Sequence, residues 1–174
     1  VSMTTTVESV FGSGRMSGGF FLNNQLTDFS FEPVDDLGRP VANAVAGGKR
    51  PRSSMSPVLI FDREGRLVGG LGSPGGSSIL AYNAKALIGT LDWGLGVQDA
   101  FDLPNLVARG TGLGADTERF SPELQAALME RDLRLRSNAS ENSGLHGGLW
   151  RLGPDGWAWD GGADDRREGV VATR

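Results

Sequence analysis

KRPRSSMSP, residues 49–57, and LGSPGGS, residues 71–77, are the stretches on which the reading of this chain turns. The first holds two adjacent hydroxyls, Ser53 and Ser54, between prolines. The second places Gly75 and Gly76 just ahead of residues 78–93, where Ile79, Leu80, Ala84, Leu87, Ile88 and Leu91 recur with helical spacing. Glycines let a backbone approach a ligand closely, and N–H groups at a helix start have no partner inside the helix. Hydroxyls beside such N–H groups make a place for a carboxylate or a developing oxyanion. A tight strand-to-helix turn would use the same glycines, and serines between prolines are also ordinary loop composition. A phosphate cradle is disfavoured, because the G-x-x-x-x-G-K pattern and its lysine are missing.

Working outward, residues 58–62 and 67–71 read as a strand pair across the turn Arg63-Glu64-Gly65. Upstream, residues 1–10 alternate like a strand, 12–14 form a turn, and 17–25 read as a second strand. Residues 28–57 are irregular, and a loop that long is usually functional. Downstream come short helical and strand patterns at 97–101 and 106–108. A helix follows over 121–131, with Ser121 as N-cap and Pro122 in its first turn. The tail returns to strands at 134–137, 148–152 and 157–159, the last two joined by the turn Pro154-Asp155-Gly156. Strands, helices, then strands make an α+β chain, read as one domain over residues 1–174.

Composition removes several classes of function. The net charge of -4 and a pI near 5.0, with arginines dispersed, argue against a nucleic-acid binder. No apolar run is long enough to span a membrane, and no signal-peptide pattern opens the chain. Without cysteine, and with His146 as its single histidine, the chain offers no thiol nucleophile and no Cys/His metal site. Neither a cofactor nor a metal is expected. Any chemistry must rest on hydroxyls, carboxylates and backbone dipoles.

Two further groups of side chains are candidates. Thr4, Thr6 and Glu8 fall on one face of the first expected strand, either as a functional column or as a solvent-facing surface. Gln25 and Asp28 lie where the second strand runs into the long loop. A carboxylate there can receive an ammonium and a carboxamide can do so through its oxygen, while capping of turns is the plainer role.

TTTVESVFGSG, FLNNQLTDFS, NAVAGGKRPRSSMSP and GSPGGS, in that order, together with the ending GADDRREGVV, resemble the small subunit of the γ-glutamyltranspeptidases. The resemblance covers most of the chain. It implies the αββα four-layer sandwich of the N-terminal nucleophile hydrolases, here the small-subunit portion. It also implies a large subunit of the same proenzyme as heterodimer partner, γ-glutamyl compounds such as glutathione as substrates, and a periplasmic or secreted setting. In that family a threonine freed by self-cleavage attacks the γ-glutamyl amide, and the acyl-enzyme passes to water or an amino acid. Carried over, Thr6 matches the hydroxyl that orients the nucleophile, and Gly75 and Gly76 match the oxyanion-hole amides. Glu8, in a place where the family often has Asn, matches a contact to the substrate's α-amino group, as do Gln25 and Asp28. Ser53 and Ser54 match the hydroxyls on its α-carboxylate. None of Thr4, Thr5 and Thr6 is N-terminal, so the nucleophile is expected upstream and the chain alone is expected to be inactive. Two other functions fit the same residues: an acylase of the same fold acting on a glutaryl or β-lactam amide, or a non-catalytic module for an amino acid or anion. A glutaryl group has no α-ammonium, so Glu8 and Asp28 favour a γ-glutamyl donor.

Overall fold

The chain divides into two compact units, one of residues Thr5–Ser53 and one of Val1–Thr4 with Ser54–Arg174. A computed structural model describes residues 1–8, 11–110, 112–137 and 142–172.

In the larger unit, β3 (Val58–Phe61) and β4 (Leu67–Gly72) form the hairpin expected from their alternation. Asp62 folds the turn: its Oδ1 accepts N–H groups of Glu64 at 3.0 Å and Arg66 at 2.8 Å. Gly65 supplies the positive φ of 77° that the turn requires. β8 (His146–Gly153) and β9 (Gly156–Ala163) complete an antiparallel sheet of order β3-β4-β8-β9. Side chains alternate across each strand, so Val58, Ile60, Leu71 and Leu149 share one face. That face packs against Tyr82 and Ala86 of α1 (Ile79–Leu87) and against Val97 and Phe101 of α2 (Val97–Asp102). Gly162 is what lets α2 come close, since a Cβ there would lie 2.9 Å from the Phe101 ring.

Among the described residues of the larger unit, no helix packs on the opposite face. It carries Leu59, Phe61, Trp150, Leu152, Trp157 and Trp159, all exposed. The Trp159 indole lies over Gly148, where a Cβ would come within 2.5 Å of it. Trp150 meets Trp159 edge-on, with ring centroids 5.6 Å apart.

A second sheet runs β5 (Leu106–Arg109), β6 (Gly112–Ala115), β7 (Leu135–Ser137), with β6 antiparallel to β5 and parallel to β7. β6 was not expected: GLGA has two glycines and no β-branched residue, so it carries no strand signal. α3 (Pro122–Met129) begins as read, the Ser121 hydroxyl accepting the Leu124 N–H at 3.2 Å.

The first 53 residues depart from expectation. No strand forms over the described residues 1–8; Ser9 and Val10 of that expected strand lie outside the described residues. Alternation survives locally, with Thr4 and Thr6 half-buried and Thr5 and Val7 exposed, but no ladder partner is present among the described residues and Glu8 turns away at φ 68°. The second strand is instead a short hairpin of β1 (Met16–Ser17) and β2 (Phe20–Phe21), reversed at Gly18 and Gly19. A 3₁₀ turn, Gln25–Asp28, follows. The long loop is knitted locally. Asp35 Oδ1 accepts from the N–H groups of Leu37 and Arg39, and Gly38 sits at φ 74°, repeating the Asp62–Arg66 turn in another D-x-x-G-R segment.

Candidate active site

Gly75 and Gly76 end the connection from β4 and enter a 3₁₀ turn, Gly76–Ser78, that runs into α1. Their φ values are 131° and 53°, so both occupy backbone that side chains avoid. A Cβ on Gly75 would also come within 2.5 Å of the buried Tyr82 ring. Among the described residues, neither glycine N–H donates to an acceptor, whereas their carbonyls are engaged. The Gly75 carbonyl accepts the Ser78 N–H at 2.9 Å, and the Gly76 carbonyl accepts the Ser54 hydroxyl at 2.7 Å. Two adjacent amides at a helix start, without an acceptor among the described residues, are the kind of pair that can donate to a single oxygen.

The structure therefore joins Ser54 to the glycine loop. Asn83, on α1, fixes the same stretch by donating to the Ser56 carbonyl at 2.8 Å. Because the Ser54 proton is directed at Gly76, this hydroxyl reaches a carboxylate only by releasing that bond. Ser53 is exposed and closes the smaller unit.

Within the smaller unit, Gln25 and Asp28 stand three residues apart on one 3₁₀ turn, where side chains at that spacing share a side. Both are half-buried. Their neighbour Asn24 has a buried Oδ1 with no partner among the described residues, a further acceptor that sequence reading missed. Asn43 was missed as well. Its amide donates to the Asp28 carbonyl at 2.7 Å and its oxygen accepts the Arg52 N–H at 2.9 Å, tying the turn to the loop that leads to Ser53. Thr6 Oγ1 accepts the Glu8 N–H at 2.9 Å, and the Glu8 side chain is exposed.

Beneath the glycine loop lies a buried ionic network that the sequence did not reveal. The Ser73 hydroxyl accepts the Gly144 N–H at 3.0 Å, and the adjacent Ser143 donates to Asp164, which is fully buried. Arg166 bridges Asp164 at 3.0 Å and Asp116 at 2.7 Å, and it also donates to the Phe101 and Leu103 carbonyls. Lys85 donates to the same two carbonyls, at 3.0 and 2.7 Å. Burial, with repulsion from Arg166, pushes the Lys85 ammonium down to about 8 against the pull of Asp164 and Asp116. Burial alone would raise the Asp164 carboxyl; hydrogen bonds from Ser143 and Arg166 outweigh it and hold the group below its ordinary value. Elsewhere, Arg151 Nε lies 2.8 Å from Asp160, aligned as a charge contact rather than a hydrogen bond.

The family model for gamma-glutamyltranspeptidase matches residues 1–174, the whole chain. The chain belongs to the γ-glutamyltranspeptidase family. Its relatives include the glutathione hydrolase proenzyme of Escherichia coli K12, 40% identical over 110 residues, which cover 60% of this chain and 19% of that protein. This family member therefore spans about a fifth of the length of the curated relative it matches. Among solved structures, the γ-glutamyltranspeptidase of Pseudomonas nitroreducens complexed with L-DON superposes with a TM-score of 0.82 at 27% identity, covering 100% of this chain and 93% of that one. The cephalosporin acylase of Bacillus halodurans shares the fold, with a TM-score of 0.72 at 24% identity over 88% of this chain and 27% of the other. The fold is α+β of the N-terminal nucleophile hydrolase type, and the helix-on-sheet half of an αββα sandwich is what the larger unit displays.

Proposed function

We propose that this chain is the small-subunit portion of a γ-glutamyltransferase or glutathione hydrolase, holding the γ-glutamyl donor and stabilising the oxyanion. One observation carries the reading: the Gly75 and Gly76 N–H groups, unused inside the described chain, at the mouth of α1. In the reaction a threonine hydroxyl adds to the γ-carbonyl and its proton passes to the threonine's own amine. The carbonyl oxygen becomes an oxyanion facing the two glycine amides. Collapse expels the amine of the γ-glutamyl amide with a proton and leaves an ester, which water or an amino acid then attacks. The Asp28 carboxylate, the Gln25 carboxamide oxygen and Glu8 accept the donor's α-ammonium. The Ser53 hydroxyl, and the Ser54 hydroxyl once it releases the Gly76 carbonyl, donate to its α-carboxylate, and Thr6 acts as a positioning residue for the nucleophile. A large subunit of the same proenzyme is the partner; the superposition over nearly all of one chain of the Pseudomonas nitroreducens enzyme favours a subunit.

The test is release of the amine from a γ-glutamyl anilide by the intact parent protein, beside a glutaryl anilide lacking the α-ammonium. Turnover of the γ-glutamyl compound alone is expected. Preference for the glutaryl compound would make the protein an acylase, and turnover of neither would leave a binding module.

A further inference from the structure

We propose, building on the reading of the Gly75 and Gly76 N–H groups as oxyanion donors, that Ser73 is a positioning residue whose hydroxyl sets the direction of the Gly75 amide. A trans peptide unit is planar, with its C=O and N–H on opposite sides, so whatever holds the carbonyl also aims the amide. The Gly75 N–H shares its unit with the Pro74 carbonyl, and that carbonyl accepts the Ser73 hydroxyl at 2.7 Å. The Gly76 N–H shares its unit with the Gly75 carbonyl, which the Ser78 N–H already holds at 2.9 Å as the chain enters α1. The helix start therefore aims one amide, and a side chain aims the other.

The Gly75 amide needs that hold because of what precedes it. The proline ring fixes φ of Pro74 but leaves its ψ free. A Pro-Gly pair fits two β-turns, types I and II, that differ by a flip of the peptide between the two residues, and the flip reverses its N–H. The positive φ of Gly75, 131°, has the sign of the second. Ser73 is itself held in place. It is 6% exposed, and its oxygen accepts the Gly144 N–H at 3.0 Å, so its single proton is left for Pro74. Asp164 Oδ2 in turn grips both neighbours of Gly144, accepting the Ser143 hydroxyl and the Leu145 N–H. Gly144 also lies against the loop, since a Cβ there would come 2.9 Å from Pro74 Cγ. Through one hydroxyl, the buried ionic network reaches the Gly75 amide.

Steady-state kinetics of the intact parent protein and its Ser73 variants on the γ-glutamyl anilide test this. Removing an oxyanion donor outright costs roughly 100–1000-fold in kcat. Ser73→Ala frees the amide without deleting it and should cost roughly 10–100-fold in kcat, with KM little changed. Ser73→Thr keeps the hydroxyl and should retain most of the parent's kcat. Ser73→Cys keeps the shape with a weaker donor, should fall between the two, and carries the test if circular dichroism shows that the alanine variant does not fold. Urea unfolding accompanies each variant, since a merely structural role would lower stability and leave kcat of the folded enzyme alone. Unchanged kcat in a folded Ser73→Ala or Ser73→Cys, a rise in KM alone, or a folded Ser73→Thr as slow as Ser73→Ala overturns the role of Ser73 while the proposed function stands. A parent that turns over neither the γ-glutamyl nor the glutaryl anilide would instead remove that function, and the role of Ser73 with it.

Discussion

Gly75 shows how little a single residue can change without consequence. Alanine there must adopt a φ of 131° and displace the Tyr82 ring, so its N–H leaves the position an oxyanion would meet. In the intact enzyme Gly75→Ala should lower kcat roughly 100–1000-fold with little change in KM. Equal effects on both, or on KM alone, would reduce the loop to a turn. Asp28 acts on the ground state as well. Asp28→Ala should raise KM for a γ-glutamyl donor by the equivalent of about 2–5 kcal/mol, because an ammonium loses its ionic partner, and Asp28→Glu should cost less. Steady-state kinetics on the two variants decide it. The placement of Gly75, Gly76 and Ser54 beside one another was legible in the sequence because its signals are local: a glycine pair, a helix start, a hydroxyl one hairpin away. Asn43 was not, since its bonds to Asp28 and Arg52 depend on how an irregular loop folds back.

At the scale of elements, the ionic network beneath the loop governs stability. Arg166→Met would leave Asp116 and Asp164 buried without their cation, a loss of about 3–5 kcal/mol measurable by urea unfolding. The Asp164 carboxyl is held below its ordinary 3.8, so its contribution is complete above that pH and fades as pH falls beneath it. Lys85 shifts in the same direction at higher pH, but there the charged form is the one that costs stability. Its folded value of about 8 lies below the unfolded one near 10.4, so between those pH values the unfolded chain binds the extra proton and stability rises with pH. Below pH 8 the buried cation costs on the order of 3 kcal/mol. Lys85→Met should remove that rise, and it should be tolerated at neutral pH because Arg166 still serves the Phe101 and Leu103 carbonyls. Urea titrations of parent and variant at pH 7.5 and 9.5 test it; parallel pH dependence would refute the assignment. Periodicity and caps announced α1, α3 and the β3–β4 hairpin. Residues 1–8 of the expected first strand were misread because alternation describes a chain that is extended, whereas a ladder also needs a neighbour. Arg166 was invisible for a related reason: its partner Asp116 stands 50 residues away.

For the whole molecule, the larger unit's sheet has helices on one side and an apolar face on the other. Faces of that kind are normally covered, and exposed ones drive association. The isolated chain should therefore bind a hydrophobic dye and self-associate in sedimentation velocity, and replacing Leu59 and Phe61 together by lysine should suppress both. A chain that sediments as a monomer without dye uptake would count against this. The same face also contains its own reporter. Trp150 and Trp159 stand close enough, and at a large enough angle, for their indoles to share excitation, and the Trp159 ring lies against Gly148. Such a pair gives a coupled signal in the ultraviolet circular dichroism whose sign follows its handedness. Whatever settles on that face must shift the emission of both rings and rescale the couplet, so the arrival of a covering layer can be timed optically, without any label.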